Sequence, residues 1–164
     1  MDLYAELLGL VDVLAERGPD YAICGGIAVA MYGHPRLTRD IDLLARPEDL
    51  AAILATVSER GFTVAGGRVP LRAGRTGEIV VHRVSKISGH EVLTLDIIIV
   101  NPSLDIVWKD RTTLDWKGRR VWIVSLDGLT EMKKRAGRRQ DLADLENLGV
   151  EPGDDNDRAN EPEA

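Results

Sequence analysis

The chain of 164 residues has a single cysteine, a single phenylalanine and only three histidines. One cysteine, Cys24, excludes an internal disulfide and a cysteine metal cluster. It closes a short apolar run, where a free thiol behaves as a small buried hydrophobe, and no histidine precedes His34 to activate it. No apolar run approaches the ~20 residues of a membrane span. The opening MDLYAELLGLVDVLAERG carries Asp2, Glu6 and Asp12 where a secretion signal needs a basic start and an unbroken apolar segment, so a cytoplasmic protein is expected. There is no internal repeat. Positive charge is also in deficit, at a formal net charge of −6, but the deficit is local. The tail EPGDDNDRANEPEA holds six acids and one base, which leaves about −1 for residues 1–150. A near-neutral body does not advertise a large nucleic-acid footprint, though it leaves contact with an RNA 3′ end open.

The length and a hydrophobic fraction of 44% fit one globular domain over residues 1–150. Residues 151–164 lack apolar anchors and read as a disordered, solubilising tail. Leu3, Leu7, Leu10, Val11 and Leu14 recur at helical spacing before Gly18, which predicts a helix over residues 2–17. DYAIC predicts a short strand, Gly25-Gly26 a turn, and IAVAMYG a helix ended by Pro35. DIDLLA, residues 40–45, is the next strand, and Pro47 opens a helix closed by Gly61. AGGRVPLRAGRTGE reads as a glycine-rich loop presenting Arg68, Arg72 and Arg75, either solvated or ordering on a substrate. EIVVHRVS and EVLTLDIIIV predict adjacent strands, and RRVWIVS another. Ser125 is a candidate cap for a helix over 126–136, and a last helix aligns Leu142, Leu145 and Leu148. The fold class is therefore α/β (α+β), a mixed sheet with helices packed against it.

The stretch CGGIAVAMYGHPRLTRDIDLL, residues 24–44, concentrates the chemistry. Residues two apart on a strand share a face, so Asp40 and Asp42 project together while Ile41 and Leu43 enter the core. Paired carboxylates repel unless a cation lies between them. Magnesium suits such a pair, since it is held by one or two carboxylates plus substrate phosphates. A third acid in register would permit two ions about 4 Å apart. Asp96, within the apolar run LTLDIIIV, is the candidate. Gly25 and Gly26, between a strand and a helix, let backbone N–H groups approach a phosphate. Arg36 and Arg39 precede the acids and project from opposite sides in an extended approach, so at most one faces a nucleotide, and Arg36 could equally pair with the carboxylates. His34 reads as a loop or cap residue, and Thr38 as support for the strand entry.

Two glycines, a helix and Asp-Ile-Asp in that order resemble the signature of the nucleotidyltransferases related to DNA polymerase β. More narrowly, the run Arg36, Thr38, Asp40, Ile41, Asp42, Leu43, Leu44 is similar to the R-x-T-x-D-I-D-L-L of bacterial minimal nucleotidyltransferase-like proteins related to abortive-infection (AbiEii-type) toxins. A second block, LTEMKKRAGRRQDLADLENL, resembles that group's K-x-x-A-G-R-x-x-D-x-x-D helices, with Lys133, Arg138, Asp141 and Asp144 in the motif positions. The two blocks cover about a quarter of the chain. The resemblance implies a nucleotidyltransferase fold, two Mg2+ or Mn2+ ions and a nucleoside triphosphate such as ATP as substrate. It implies attack of an acceptor hydroxyl on the α-phosphorus, with pyrophosphate leaving. Asp40, Asp42 and Asp96 would hold the metals, and Asp96 would also help activate the hydroxyl. Gly25-Gly26 would cradle the β and γ phosphates, with Arg36 and Lys133 as nucleotide contacts.

The stretch left for an acceptor-selecting region, residues 125–148, is short. A second copy of the chain or a partner protein such as an antitoxin is the expected supplement. Three readings stay open at this stage. One is an active enzyme, conceivably the toxin of a toxin–antitoxin pair. Another is a non-catalytic nucleotide-binding or protein-interaction module with the same fold. The third is an antibiotic-modifying nucleotidyltransferase, which needs an acidic pocket for a cationic sugar.

Overall fold

Asp2 starts the first helix by accepting hydrogen bonds from the backbone N–H groups of Tyr4 and Ala5, at 2.9 and 3.2 Å. Helix α1 runs Leu3–Arg17 and stops at Gly18, which takes the left-handed conformation. Leu7, Leu10, Val11 and Leu14 are all buried, each contributing about 1.5–3 kcal/mol of burial free energy. The computed structural model describes residues 1–71 and 78–150. The tail expected to be disordered, with Arg72 and Arg75 of the expected loop, lies outside the described residues.

The remaining elements are β1 (Ala22–Cys24), α2 (Gly25–Met31), β2 (Asp40–Ala45), α3 (Leu50–Ser58), β3 (Val64–Leu71), β4 (Ile79–Ser88), β5 (Glu91–Ile99), α4 (Asp105–Lys109), β6 (Thr112–Trp116), β7 (Arg119–Ile123), α5 (Leu126–Ala136) and α6 (Arg139–Asn147). The strands form one mixed sheet in the order β3-β4-β5-β2-β1-β7-β6. β2 runs parallel to β5 and antiparallel to β1, and β1 is parallel to β7. One face of β2 and β5 carries Ile41, Leu43, Leu95 and Ile97, all at most 1% exposed. On that side Lys86 of β4 reaches Glu6 of α1 at 2.8 Å, which places α1 there. The opposite face carries Asp40, Asp42 and Asp96 and meets α2, α5 and α6. Among the described residues no helix is long and apolar enough to cross a membrane.

Several local expectations are corrected. Gly25 and Gly26 do not form a turn: β1 runs straight into α2, with Cys24 in extended conformation as the cap and Gly25 at φ +64°. Residues 64–71 are not loop but the edge strand β3, bulged between Ala65 and Gly67. Pro70 is tolerated there because an edge strand can leave one N–H side unpaired. The hairpin β6–β7 turns through Lys117 and Gly118, both at positive φ, a two-residue connection that such conformations favour. In α6 the inward face is Asp141, Asp144 and Leu145, while Leu142 is 41% exposed. Of the three leucines expected on one side, Leu145 is buried and Leu148 packs against the core, and Leu142 alone is exposed. The Ser125 cap holds, accepting from Gly128 N–H at 3.0 Å.

Candidate active site

Parallel pairing of β2 with β5 sets Asp42 opposite Asp96 and Asp40 opposite Thr94, while β1 sets Cys24 beside Asp42. The three acids singled out in the sequence thus share one sheet face, with Asp40 exposed, Asp42 half-buried and Asp96 9% exposed. Burial, with Asp96 and then Asp40 beside it, pushes the Asp42 carboxyl up to about 6, against an opposing pull from Lys133 and Arg138. Cys24 is fully buried, and burial drives its thiol well above the usual range. It packs as a core residue.

Gly25 is required by Asp42 itself. A Cβ at that position would lie 2.0 Å from Asp42 Oδ2, and the backbone sits at φ +64°. Gly26 plays the same part for the loop ahead of β2, where a Cβ would lie 2.7 Å from Thr38 Oγ1 and 3.0 Å from the Arg36 guanidinium. We expect Gly25→Ala to cost about 1–3 kcal/mol, from clash and backbone strain together, and to impair catalysis by displacing Asp42. Thermal melting reads the first effect, and an unchanged Tm would contradict it.

Asp96 is engaged by a residue that sequence reading missed. Arg83 of β4, the cross-strand partner of Asp96, donates from Nε to Oδ1 and from Nη2 to Oδ2, both at 2.7 Å. Such a two-pronged pair fixes the carboxylate plane. The signal was present in the sequence: an arginine between the valines of the expected strand EIVVHRVS.

The two motif blocks, about a hundred residues apart in the chain, meet in one ionic network. Arg36 grips Asp144 through Nε at 2.6 Å and Nη2 at 2.9 Å. Lys133 Nζ lies 2.7 Å from Asp144 and 3.1 Å from Asp141. Arg138 Nε adds 2.8 Å to Asp141, and Gln140 donates to Asp144 at 3.1 Å. Lys133, Asp141 and Asp144 side chains are at most 5% exposed. Burial works to raise both carboxyls, but the arginine and lysine hydrogen bonds outweigh it and hold them below the usual range. Arg36 and Lys133 line the cleft beside the acids, yet their charges are committed to this network. Its position ties α5 and α6 to the loop that delivers Asp40.

Gly25, Gly26, Arg36, Thr38, Arg39, Asp40, Asp42, Arg83 and Asp96 are among the residues lining a cleft of about 390 Å³ that is open to solvent. Among the described residues no group of three or more histidine, cysteine or acidic side chains is arranged to hold a metal. Asp40 and Asp42 remain a donor pair of the oxygen type magnesium takes. Burial first, and the neighbouring Asp96 and Asp40 second, disfavour the charged Asp42 carboxylate, and a bound cation would offset both. The residues fit one divalent ion as folded.

The chain is a nucleotidyltransferase, the enzyme class that the sequence resemblance implied, and a family match shows it. A family model described as aminoglycoside-2''-adenylyltransferase matches residues 6–148, and the chain belongs to that family. Among solved structures it is similar to a protein from Thermotoga maritima described as a candidate nucleotidyltransferase, at TM-score 0.60 and 19% identity over 88% of this chain and 91% of that one. It is also similar to ANT(2")-Ia in complex with adenylyl-2"-tobramycin, at TM-score 0.52 and 15% identity over 88% and 87% of the two chains. Identities this low speak for the fold alone. A search of curated proteins found no match.

Proposed function

We propose that the chain transfers a nucleoside monophosphate from a triphosphate to an acceptor hydroxyl, at the face formed by Asp40, Asp42 and Asp96. The observation that carries this reading is the register of β2 on β5, which aligns Asp42 with Asp96 beside Gly25. A divalent ion held by Asp40 and Asp42 would neutralise charge on the phosphates; a second ion would need Asp96 to share or leave its Arg83 fork. Asp96, oriented by Arg83, is assigned to align the acceptor hydroxyl, and the Gly25-Gly26 backbone to face the phosphates. Arg36 and Lys133 act chiefly by holding the Asp40 loop and α5 in place. Positioning and electrostatics of this kind account for most phosphoryl-transfer catalysis. Residues 1–150 serve as one catalytic unit, with the acidic tail outside it, acting in the cytoplasm.

The family makes an aminoglycoside hydroxyl the first acceptor to assay. The charges around the cleft favour something less cationic. Arg83 neutralises Asp96, and Lys133 with Arg138 neutralises Asp141, which leaves Asp40 and Asp42 as the lining acids for a polycation that demands complementary charge. An RNA 3′ end, a protein or a neutral metabolite fits that balance better. The same Arg83 fork favours the second reading, a nucleotide-binding module without turnover. The abortive-infection resemblance adds a toxin role, with an antitoxin or a second copy as partner.

Incubation with the four α-labelled triphosphates, magnesium or manganese, and either an aminoglycoside panel or fractionated cell extract tests these readings together. Label is expected in one fraction with the parent chain and in none with Asp40→Asn/Asp42→Asn. Label that survived the double substitution would overturn the site. Metal-dependent triphosphate binding without label in any fraction would favour the module.

A further inference from the structure

The sheet ends differently at its two edges. At one edge β3 carries the bulge between Ala65 and Gly67, and a proline at Pro70. Both features discourage pairing with another chain. At the other edge β6 has neither. Its register with β7 runs unbroken from Thr112 to Trp116, and among the described residues no strand pairs with its outer side.

The hairpin decides which backbone groups of β6 face outward. Lys117 and Gly118, at φ +47° and +79°, form a two-residue turn, so Trp116 and Arg119 exchange backbone hydrogen bonds. By alternation Leu114 and Thr112 are the next residues bonded to β7. Thr113 and Asp115 therefore direct their N–H and C=O groups to the free edge. Their side chains share a face with Arg111, just ahead of the strand. Arg111 is fixed over the rings of Trp108 and Trp122 at 4.0 and 5.0 Å, and Trp122 is the neighbour of Thr113 on β7. Asp115 is 79% exposed and meets the exposed Arg120 at 3.6 Å, a loose surface pair that competes weakly with a better donor.

We propose that two copies of this chain associate through β6, antiparallel, about a twofold axis at Thr113. In that register Thr113 faces the partner's Thr113, and Arg111 faces the partner's Asp115. The axis repeats the second contact, so two pairs of opposite charge form across the strands. An axis at Leu114 would set Thr113 against the partner's Asp115 and forfeit both pairs. An axis at Asp115 would set that acid against its own copy. Because both copies offer the same edge, the contact closes at two. The axis stands perpendicular to the sheet, so both clefts open on one side, about 34 Å apart at seven strand spacings of ~4.8 Å. Neither cleft lies in the contact. An edge this short buries less than a standard interface, and the dimer forms in the micromolar range or above.

The test is sedimentation velocity of the full chain from about 5 to 500 μM. The parent is expected to pass from monomer to dimer across that range. Thr113→Pro removes an outward N–H and no bond to β7, so it folds and stays monomeric. Asp115→Arg sets like charges opposite each other and is expected to weaken association by about tenfold or more. If Thr113→Pro melts early, Asp115→Arg decides in its place. Thr113→Cys reads the register. In a hydrogen-bonded pair the two Cα atoms lie about 5.5 Å apart, within the span of a disulfide, and the native Cys24 is buried away from oxidant. Mild oxidation is expected to crosslink Thr113→Cys and to leave Asp115→Cys largely monomeric. A parent that stays monomeric to 500 μM overturns the proposal and leaves the edge to some other protein. A dimer of unchanged affinity in both Thr113→Pro and Asp115→Arg places the contact elsewhere and also overturns it. Crosslinking of Asp115→Cys in preference to Thr113→Cys overturns the register and its charge pairs.

Discussion

Asp42→Asn is expected to stabilise the metal-free protein at pH 8 while abolishing nucleotidyl transfer. Burial and the flanking acids raise the Asp42 carboxyl from 3.8 to about 6 in the folded chain. Between those values the folded state holds a proton that the unfolded state has released. Stability from this group is therefore present below pH 4, is lost as pH rises toward 6, and stays lost above it. A shift of this size corresponds to about 2–3 kcal/mol, which the neutral asparagine recovers. Denaturant titrations in the presence of a chelator, at pH 4 and pH 8, measure the effect. The variant should gain at pH 8 and show little difference at pH 4. An asparagine variant no more stable than the parent at pH 8 would remove the account of Asp42 as a strained carboxylate. Divalent ions should bind the parent more tightly as pH rises through 6, and the variant weakly throughout. The arrangement exchanges stability for a poised ligand, as functional sites commonly do.

Asp144→Ala acts in the opposite direction. Asp144 is completely buried and is the acceptor shared by Arg36, Lys133 and Gln140. Removing it leaves Lys133, at 5% exposure, with Asp141 as its partner, and leaves Arg36 without its fork. Loss of one member of a buried ionic group costs about 3–5 kcal/mol, a large share of the 5–15 kcal/mol that holds a typical domain together. Thermal melting should show the loss, and transfer should fall with it because the loop before Asp40 is released. Arg138→Ala is the internal comparison. Its side chain is 76% exposed and its buried partner Asp141 keeps Lys133, so its melting temperature should fall by less than that of Asp144→Ala. Equal losses from Asp144→Ala and Arg138→Ala would mean that burial is not what sets the value of this network.

The legible parts of the fold were those with local causes. The leucines of α1, the alternation of Asp40-Ile41-Asp42-Leu43 and the Ser125 cap each declare themselves within one or two turns of chain. β3 did not, because Gly66, Gly67 and Pro70 oppose a strand locally, and only pairing to β4 at the sheet edge supports one. The inward face of α6 was legible only in part, since leucine is the usual buried residue and Leu145 is indeed buried, but it is joined by two acids. Asp141 and Asp144 are buried beside it, since Lys133, Arg36 and Arg138 satisfy them. The superfamily was legible from two short blocks, while the family that matches was weighed among the open readings without being preferred.

By itself the sequence determined the chemical class of the site: two acids in strand alternation, a third acid in an apolar run, and glycines where a strand meets a helix. Tertiary structure alone decided how those groups are engaged. It paired Asp96 with Arg83 and committed Lys133 and Arg36 to buried carboxylates. The reason is physical. Alternation and capping depend on neighbours along the chain, whereas the partner of a charge depends on which distant residue the sheet order brings within about 3 Å.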